Sequence, residues 1–448
     1  MYSILLAGAI AHFAVDIPYW DEWELFNTHW LKTNPFGVWI FNHHNEHRVV
    51  PTHVSYLVNY WLFGLDFKIA SIFNLPLFLA VVTTLWLNTG ARLKGWWGPL
   101  AALGLFPLAS NLLVSNHMMS GQNCVHFCLL GFFLGSRLIF TATRGGIEVS
   151  SAFDEKPSGA RFWLGVSFWI LSIYSYASGI PAVWAAFLAY LVMASIKRDQ
   201  IALFRGALAG LVLVAFSGIW FLGFHKPPTH PDPTFPWQLD FWAYVSQMVA
   251  TGFGFSGFSY LTGTVCMVVL GLSVIFFGLS YCKPGLHSVT WSSALPLICG
   301  LGLLATLSTV ALGRAGMGIP QAKSERYGEL TVGFPLIIIT LLALAHEKLR
   351  SGSDSARWLV RGITISAAFW ILLLPFGLYN DFGFRPYKFV AGFRSADRVC
   401  ARELASAPEK NPQGICERAY PGPIVGFIQN AKDMNASFLR TVGGPPPK

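Results

Sequence analysis

Long apolar segments separated by short polar ones recur along most of this 448-residue chain. An apolar run of about 18 residues or more is typical of a helix that crosses a membrane. The pattern predicts an all-α polytopic membrane protein with about eleven transmembrane helices. The predicted spans are 2–15, 68–90, 96–115, 123–141, 160–176, 179–196, 202–223, 259–281, 291–312, 331–347 and 359–379.

Composition agrees with this fold class. The chain is 54% hydrophobic and only 12% charged, whereas soluble domains carry about 25% charged residues. The net charge of +9 raises the question of nucleic-acid binding. However, the basic residues stand in short clusters between apolar runs, as in the cytoplasmic loops of membrane proteins. We therefore expect a lipid bilayer as a partner and no nucleic acid.

The distribution of Lys and Arg also predicts the orientation, because cytoplasmic loops are enriched in both. With residues 16–67 outside, the predicted cytoplasmic loops hold about twice as many Lys and Arg as the outer loops. Residues 380–448 then form a small extracytoplasmic tail, in which Cys400 and Cys416 are candidates for a disulfide. The first run is short, and a cleaved signal peptide is an alternative to a truncated helix. Both interpretations put the next segment outside.

The predicted organisation is a membrane module, residues 1–379, followed by that tail. The module has a first outer loop, residues 16–67, and a late outer loop, residues 313–330.

Acidic residues crowd the start of the first outer loop. Asp16, Asp21, Glu22 and Glu24 fall within nine residues. Pro18 ends the first span, and Asp21 can cap a new helix running through Trp30, whose apolar side would lie in the membrane plane. We expect Asp21 and Glu22 to be functional, and Glu24 and Asp66 to be ordinary solvated or capping acids.

Histidines follow in the same loop. His43, His44, Glu46, His47 and Arg48 form a second polar cluster. A helix would present His43 and His47 on one face, so a divalent metal is conceivable there. The spacing is not that of a zinc protease, and hydrogen bonds to an acceptor or to phosphate are the favoured interpretation.

The late outer loop is cationic although the topology disfavours positive charge on that side. It contains Arg314, Lys323 and Arg326, with Tyr327 beside them and three glycines that permit close backbone approach. Arg suits bidentate phosphate contacts, and Lys adds a point charge. These cations are candidates for binding a lipid phosphate; the alternative is contact with lipid headgroups.

This constellation resembles the GT-C class of membrane glycosyltransferases, which includes lipid-linked-sugar mannosyltransferases, aminoarabinose transferases and O-antigen glucosyltransferases. The resemblance rests on Asp21 and Glu22 in the first outer loop, on the many-span body, and on the late loop from Arg314 to Tyr327. The turn at Gln122 is also similar. The resemblance to this class implies a polyprenyl-phosphate sugar donor, a glycan or glycolipid acceptor, and inversion at the anomeric carbon. It also implies a bacterial inner membrane, with the site facing the periplasm.

The chemistry is coherent with these residues. The expected donor outside the cytoplasm is a polyprenyl-phosphate sugar, whose phosphate is a good leaving group stabilised by cations. The acceptor hydroxyl needs a base, for which Asp21 is the candidate, with Glu22 assisting. The residues assigned to substrate are Asp16, Trp23, His44, Glu46, His47, Arg48, Gln122 and Tyr327.

Other functions are compatible with parts of this pattern. A transporter or flippase of lipid-linked sugar would use the same cations without a base. An O-antigen ligase or polymerase also uses outer arginines, usually on a larger late loop. A non-catalytic subunit of a membrane complex would leave Asp21 and Glu22 without a role.

Overall fold

The computed structural model is predominantly helical. It describes residues 2–26, 36–103, 123–141, 143–144, 147–148, 159–226, 230–252, 259–282, 291–331, 333–349, 362, 385–406 and 424–440. The turn at Gln122 and the predicted span 359–379 therefore fall outside the described residues, except for Gly362.

The helices of the first half follow the apolar segments. They are α1 (Tyr2–Phe13), α2 (Phe36–Phe41), α3 (Val50–Phe63), α4 (Phe67–Asn88), α5 (Trp97–Leu103), α6 (Cys124–Phe140), α7 (Gly159–Ile173), α8 (Gly179–Ile196) and α9 (Gln200–Phe221). Short 3-10 helices are Trp20–Phe26 and Gly90–Arg92. Two antiparallel hairpins occur, β1 (His43–His44) with β2 (His47–Arg48), and β3 (Thr143–Arg144) with β4 (Ile147–Glu148).

The second half continues in the same way. Its helices are α10 (Leu239–Thr251), α11 (Ser259–Cys282), α12 (Leu295–Arg314), α13 (Glu325–Thr331), α14 (Phe334–Leu349), α15 (Arg385–Ser406) and α16 (Ile424–Asp433). Its 3-10 helices are Ser292–Ala294, Ala315–Met317, Ile319–Lys323 and Ser437–Leu439. The sequence pattern did not predict α10 or the helices of the tail.

Within the described residues, five helical segments are long and apolar enough to cross a membrane. They are Phe67–Asn88, Gly179–Ile196, Gln200–Phe221, Leu295–Met317 and Tyr327–Glu347. Shorter apolar helices lie at Cys124–Phe140, Gly159–Ile173 and Leu261–Ile275. The helical fold class is confirmed, and these segments support a membrane protein, whereas the count of about eleven spans stays a prediction.

The chain folds into two compact units that do not follow chain order. The first comprises Met1–Leu79, Asn111–Phe127 and Gly383–Lys448, and the second Ala80–Ser110 and Cys128–Phe382. The predicted boundary after residue 379 thus separates segments that the first unit joins. The first outer loop and the C-terminal tail share one fold, whereas the late outer loop belongs to the second unit.

One hydrophobic core joins the first outer loop to the C-terminal tail. Trp23 and Phe26 of the first outer loop are fully buried with Phe67, which begins α4. Phe438 of the tail packs on all three rings, with centroid distances of 5.5 Å to Trp23, 5.8 Å to Phe26 and 6.0 Å to Phe67. Offset and edge-to-face aromatic pairs of this kind stabilise a core beyond the area they bury. The tail is therefore a structural part of the outer loop.

The turn between α3 and α4 is closed by side-chain hydrogen bonds. Asn59 donates to the Asp66 carbonyl at 2.8 Å and accepts from the Asp66 amide at 2.9 Å. Gly64 adopts a φ of 66°, where glycine carries no steric cost. The Asp66 carboxylate accepts the Ile69 amide at 3.0 Å. The expectation that Asp66 caps a helix is confirmed.

Truncating Phe438 should unfold the first unit preferentially. Phe438→Ala removes a fully buried ring and leaves a cavity, a change that costs about 3–5 kcal/mol in other cores. We expect a lower thermal unfolding midpoint in detergent and faster proteolysis between α15 and α16. The control is Val399→Ala, whose side chain is 55% exposed. Equal behaviour of the two variants would contradict the shared core.

Candidate active site

The acidic motif lies on the 3-10 helix Trp20–Phe26. Residues three apart in a 3-10 helix share an edge. Asp21 and Glu24 accordingly stand half-buried on one edge, whereas Glu22, Trp23, Leu25 and Phe26 are buried. The expected helix is present, but it begins at Trp20, so Asp21 lies inside it and does not cap it. Its buried side chains pack with residues of the tail, and its orientation in the membrane plane stays a prediction.

Glu22 is a buried carboxylate with both oxygens bound. It is 1% exposed. One oxygen accepts the Tyr56 hydroxyl at 2.7 Å, and the other accepts the Tyr19 amide at 2.7 Å. Burial, followed by the charge and hydrogen bond of Glu22, raises the pKa of Tyr56 well above its ordinary value. Tyr56 therefore stays a neutral donor to Glu22 at all physiological pH values.

Arg394 of the tail provides the charge that balances Glu22. It is 3% exposed and donates a hydrogen bond to the Ile17 carbonyl. Its guanidinium lies 5.3 Å from the centre of the Tyr19 ring, a cation–π geometry. Burial lowers the pKa of Arg394, and the carboxylate of Glu22 is the largest opposing influence. The tail thus neutralises the buried acid of the first outer loop.

Asp16 ties the loop to the tail at a second point. Its two carboxylate oxygens accept the Phe67 amide at 2.9 Å and the Ser437 hydroxyl at 2.7 Å. Burial, reinforced by the charge of Asp66, raises the pKa of Asp16 from 3.8 to about 6. These contacts favour a structural role over the predicted contact with substrate.

Asp21 differs from both neighbouring acids because its carboxylate is half-exposed. No hydrogen bond or ion pair joins it to any other residue in the described ranges. Trp20 beside it is 51% exposed and has a φ of 46°. A bulky residue rarely adopts this left-handed conformation, and such strain clusters at functional sites. The anchored loop therefore presents the carboxylate of Asp21 and the aromatic face of Trp20 to its surroundings.

Glu24 shares the Asp21 edge and contacts the histidine hairpin. Its carboxylate lies 3.5 Å from Nδ1 of His44. Nε2 of His44 is buried and has no hydrogen-bond partner in the described chain. A carboxylate at Nδ1 favours the tautomer with the proton there, which leaves Nε2 as an acceptor. The sequence-based view of Glu24 as a solvated acid missed this contact.

The histidines lie on strands and not on a helix, so the predicted helical pair of His43 and His47 is wrong. His44 pairs with His47 across the hairpin, and His43 pairs with Arg48. The turn forms because Asn45 adopts a φ of 51°, which Asn tolerates better than most residues. Among the described residues, no group of three His, Cys, Asp or Glu side chains could hold a metal ion.

The other residues assigned to this loop have structural contacts. Glu46 lies 3.5 Å from His47 Nε2, and Arg48 donates to the Phe41 carbonyl. Trp23 is 0% exposed, so it offers no free face on which a sugar could stack. His53, which stacks on Trp39 at 4.4 Å, has its pKa lowered to about 4 by burial. It is therefore neutral at pH 7.

The late outer loop belongs to the second unit. Arg314 is half-buried at the end of α12, with Nη1 3.9 Å from the Met317 sulfur, and Lys323 is exposed. Tyr327 is 2% exposed, and its ring centre lies 6.4 Å from that of Tyr244. The side chain of Arg326 is outside the described residues. The phosphate-binding roles of these cations stay predictions.

Sequence reasoning missed Tyr56 and Arg394, the partners of Glu22. Tyr56 lies in the same outer loop, but nothing in its local pattern distinguishes it from a packing residue. Arg394 stands more than three hundred residues from Glu22, in a basic amphipathic segment that reads as solvated. Only the tertiary fold brings these two side chains to the acidic motif.

Replacing Arg394 alone should lower the stability of the folded protein much more than replacing Arg394 and Glu22 together. Arg394→Met leaves the Glu22 carboxylate buried without its counter-charge, a loss of about 3–5 kcal/mol in comparable cases. The double variant Glu22→Gln with Arg394→Met removes both charges and should recover most of that stability. Thermal unfolding of the two variants in detergent measures the coupling. Additive losses would show that the two charges do not interact.

Asp16 should make the first unit less stable as pH rises. Its folded pKa of about 6 exceeds the ordinary 3.8, so its contribution is complete below about pH 4 and is lost as pH rises through 6. Asp16→Asn stays neutral and can still accept from Phe67 and donate to Ser437. The unfolding midpoint of the variant, relative to wild type, should therefore rise between pH 4 and 7 and then level off. A constant difference would contradict the raised pKa.

Comparison with protein-family models, with curated proteins and with solved structures finds no match to this chain.

Proposed function

We propose that the chain is a membrane glycosyltransferase that moves a sugar from a polyprenyl-phosphate donor to an acceptor hydroxyl, with Asp21 as the general base. The observation that carries this proposal is the contrast between Asp21 and Glu22. Glu22 is buried, hydrogen-bonded and balanced by Arg394, whereas Asp21 next to it is half-exposed and has no partner in the described ranges. A general base must be held in a fixed position and must be accessible to the acceptor hydroxyl, and a carboxylate on an anchored loop meets both requirements.

The neighbours of Asp21 suit a sugar acceptor. Trp20 offers an exposed aromatic face beside the carboxylate. His44 has an unpartnered Nε2 and contacts Glu24 on the edge of the helix that also carries Asp21. An acceptor sugar that stacks on Trp20 would place its hydroxyl groups beside the Asp21 carboxylate. We assign Glu22 to holding the loop, because both its oxygens are already bound.

The reaction that these groups support is a single displacement. The acceptor hydroxyl oxygen forms a bond to the anomeric carbon as its proton passes to the Asp21 carboxylate. The bond from the anomeric carbon to the phosphate oxygen breaks, and its electron pair leaves with polyprenyl phosphate. One displacement inverts the configuration of the anomeric carbon. The proton then passes from Asp21 to water.

The leaving phosphate needs positive charge. Arg314, Lys323 and Arg326 are the candidates, since guanidinium and ammonium groups stabilise the charge that develops on the departing oxygen. Arg314 is half-buried and Lys323 exposed.

An extracytoplasmic site is supported by the tail. Cys400 of α15 is disulfide-bonded. Stable disulfides are typical of oxidising compartments such as the periplasm. Since the tail shares a core with the first outer loop, Asp21 would face the same compartment. Cys416, its predicted partner, lies outside the described residues.

Replacing the proposed base should abolish transfer without unfolding the protein. Asp21→Asn keeps the size of the side chain but cannot take a proton, so we expect turnover to fall by about 10²-fold or more. The measurement is donor consumption and product formation by purified protein with a panel of polyprenyl-phosphate sugars and a glycolipid extract. The matched control, Glu403→Gln, removes an exposed carboxylate from α15 and should retain full turnover.

Normal turnover by Asp21→Asn would exclude it as the base. If the wild type moves donor lipid between leaflets and forms no glycosidic bond, the transporter function is favoured instead. Polymerisation of a lipid-linked glycan would favour the ligase or polymerase function.

A further inference from the structure

In the second unit, Gln247 lies on α10, a helix that the late outer loop packs against. The 3-10 helices Ala315–Met317 and Ile319–Lys323 and the helix α13 all contact α10. The fit is close, because a Cβ at Gly252 would meet the Thr331 carbonyl oxygen at 2.2 Å. Every residue from Tyr244 to Thr251 is buried. This helix therefore lies inside the second unit, directly beside the segment with the candidate phosphate-binding cations.

Gln247 is a polar residue in this buried environment. Its side chain is 0% exposed, and neither its amide oxygen nor its amide nitrogen has a hydrogen-bond partner in the structure as described. A buried amide without partners lowers the stability of the folded protein, and native proteins contain few such groups. Its neighbours Met248 and Val249 show that apolar side chains pack well here. An uncompensated polar group of this kind is expected at functional sites.

The chemistry of the amide restricts the ligand. Its oxygen only accepts hydrogen bonds, and its nitrogen only donates them. A phosphate has acceptors alone and would leave the oxygen of Gln247 unbound. Sugar hydroxyls both donate and accept, so two adjacent hydroxyls match the two ends of the amide. A hydroxylated ligand such as a sugar, unlike a phosphodiester, therefore supplies a partner for each end of the amide.

We infer that Gln247 binds the hydroxyl groups of the donor sugar, in a buried polar site beside the late outer loop. This inference rests on the proposed function, since it assumes that the donor phosphate binds the cations of that loop. A sugar joined directly to that phosphate would reach the adjoining helix. The polar surroundings agree: Glu329 of α13 is 3% exposed, and the Tyr244 and Tyr327 rings lie 6.4 Å apart.

Replacing Gln247 by methionine distinguishes a role in sugar binding from a role in stabilising the fold. Gln247→Met keeps the volume and removes the amide. The unliganded variant should unfold at the same temperature as wild type or a few degrees higher, because an unsatisfied buried group is lost. Its affinity for a polyprenyl-phosphate hexose should fall at least tenfold, towards that for bare polyprenyl phosphate. Its affinity for the bare lipid should not change.

Two further variants serve as controls for the binding measurement. Gln200→Met replaces an exposed glutamine at the start of α9 and should bind both lipids normally. Arg314→Ala should weaken both lipids alike, since they share the phosphate. Binding is measured directly with the purified proteins, so it does not depend on turnover. Sugar-dependent binding without transfer would therefore support the Gln247 site while counting against the transferase.

Other results would overturn the inference. If Gln247→Met unfolds at a lower temperature and binds both lipids as wild type does, the amide is structural. If it loses both lipids equally, Gln247 does not recognise the sugar. A wild type that binds the hexose lipid no better than the bare phosphate would also contradict the site.

Discussion

The buried charge of Glu22 is the constraint on which the first unit depends. A carboxylate removed from water needs an opposite charge and hydrogen bonds, or the fold loses several kcal/mol. Tyr56 supplies one hydrogen bond, and Arg394 supplies the charge from the far end of the chain. This requirement fixes the C-terminal helices against the first outer loop. It also explains why Asp21 can remain half-exposed, since the loop is anchored by the acid beside it.

The coarse fold is readable from sequence because apolar runs report directly on burial in lipid. The hydrophobic pattern found α4, α8, α9 and α12 within a few residues of their ends. The sequence also predicted correctly that Asp66 caps a helix. These features depend on local composition or on neighbours within a few residues, which a single sequence carries.

What the sequence could not reveal depends on contacts between distant segments. Trp23 looks like an interfacial aromatic until Phe438 covers it. Arg394 looks solvated until Glu22 faces it, and Glu24 looks solvated until the hairpin brings His44 to it. Gln247 could not be identified from the sequence for a different reason. A single glutamine in an apolar segment forms no recognisable motif, and only its complete burial in the structure makes it a candidate. In each case the role of the side chain depends on its tertiary environment and not on its residue type.

Chemical rescue tests the role of Asp21 most directly. Asp21→Ala removes the proposed base and opens space for a small anion, and azide needs no base to attack an anomeric carbon. With a polyprenyl-phosphate sugar, we expect negligible turnover by this variant until azide is added. Turnover should then return with formation of a glycosyl azide of inverted configuration. Transfer to the natural acceptor at the wild-type rate without azide would contradict the proposed catalytic role of Asp21.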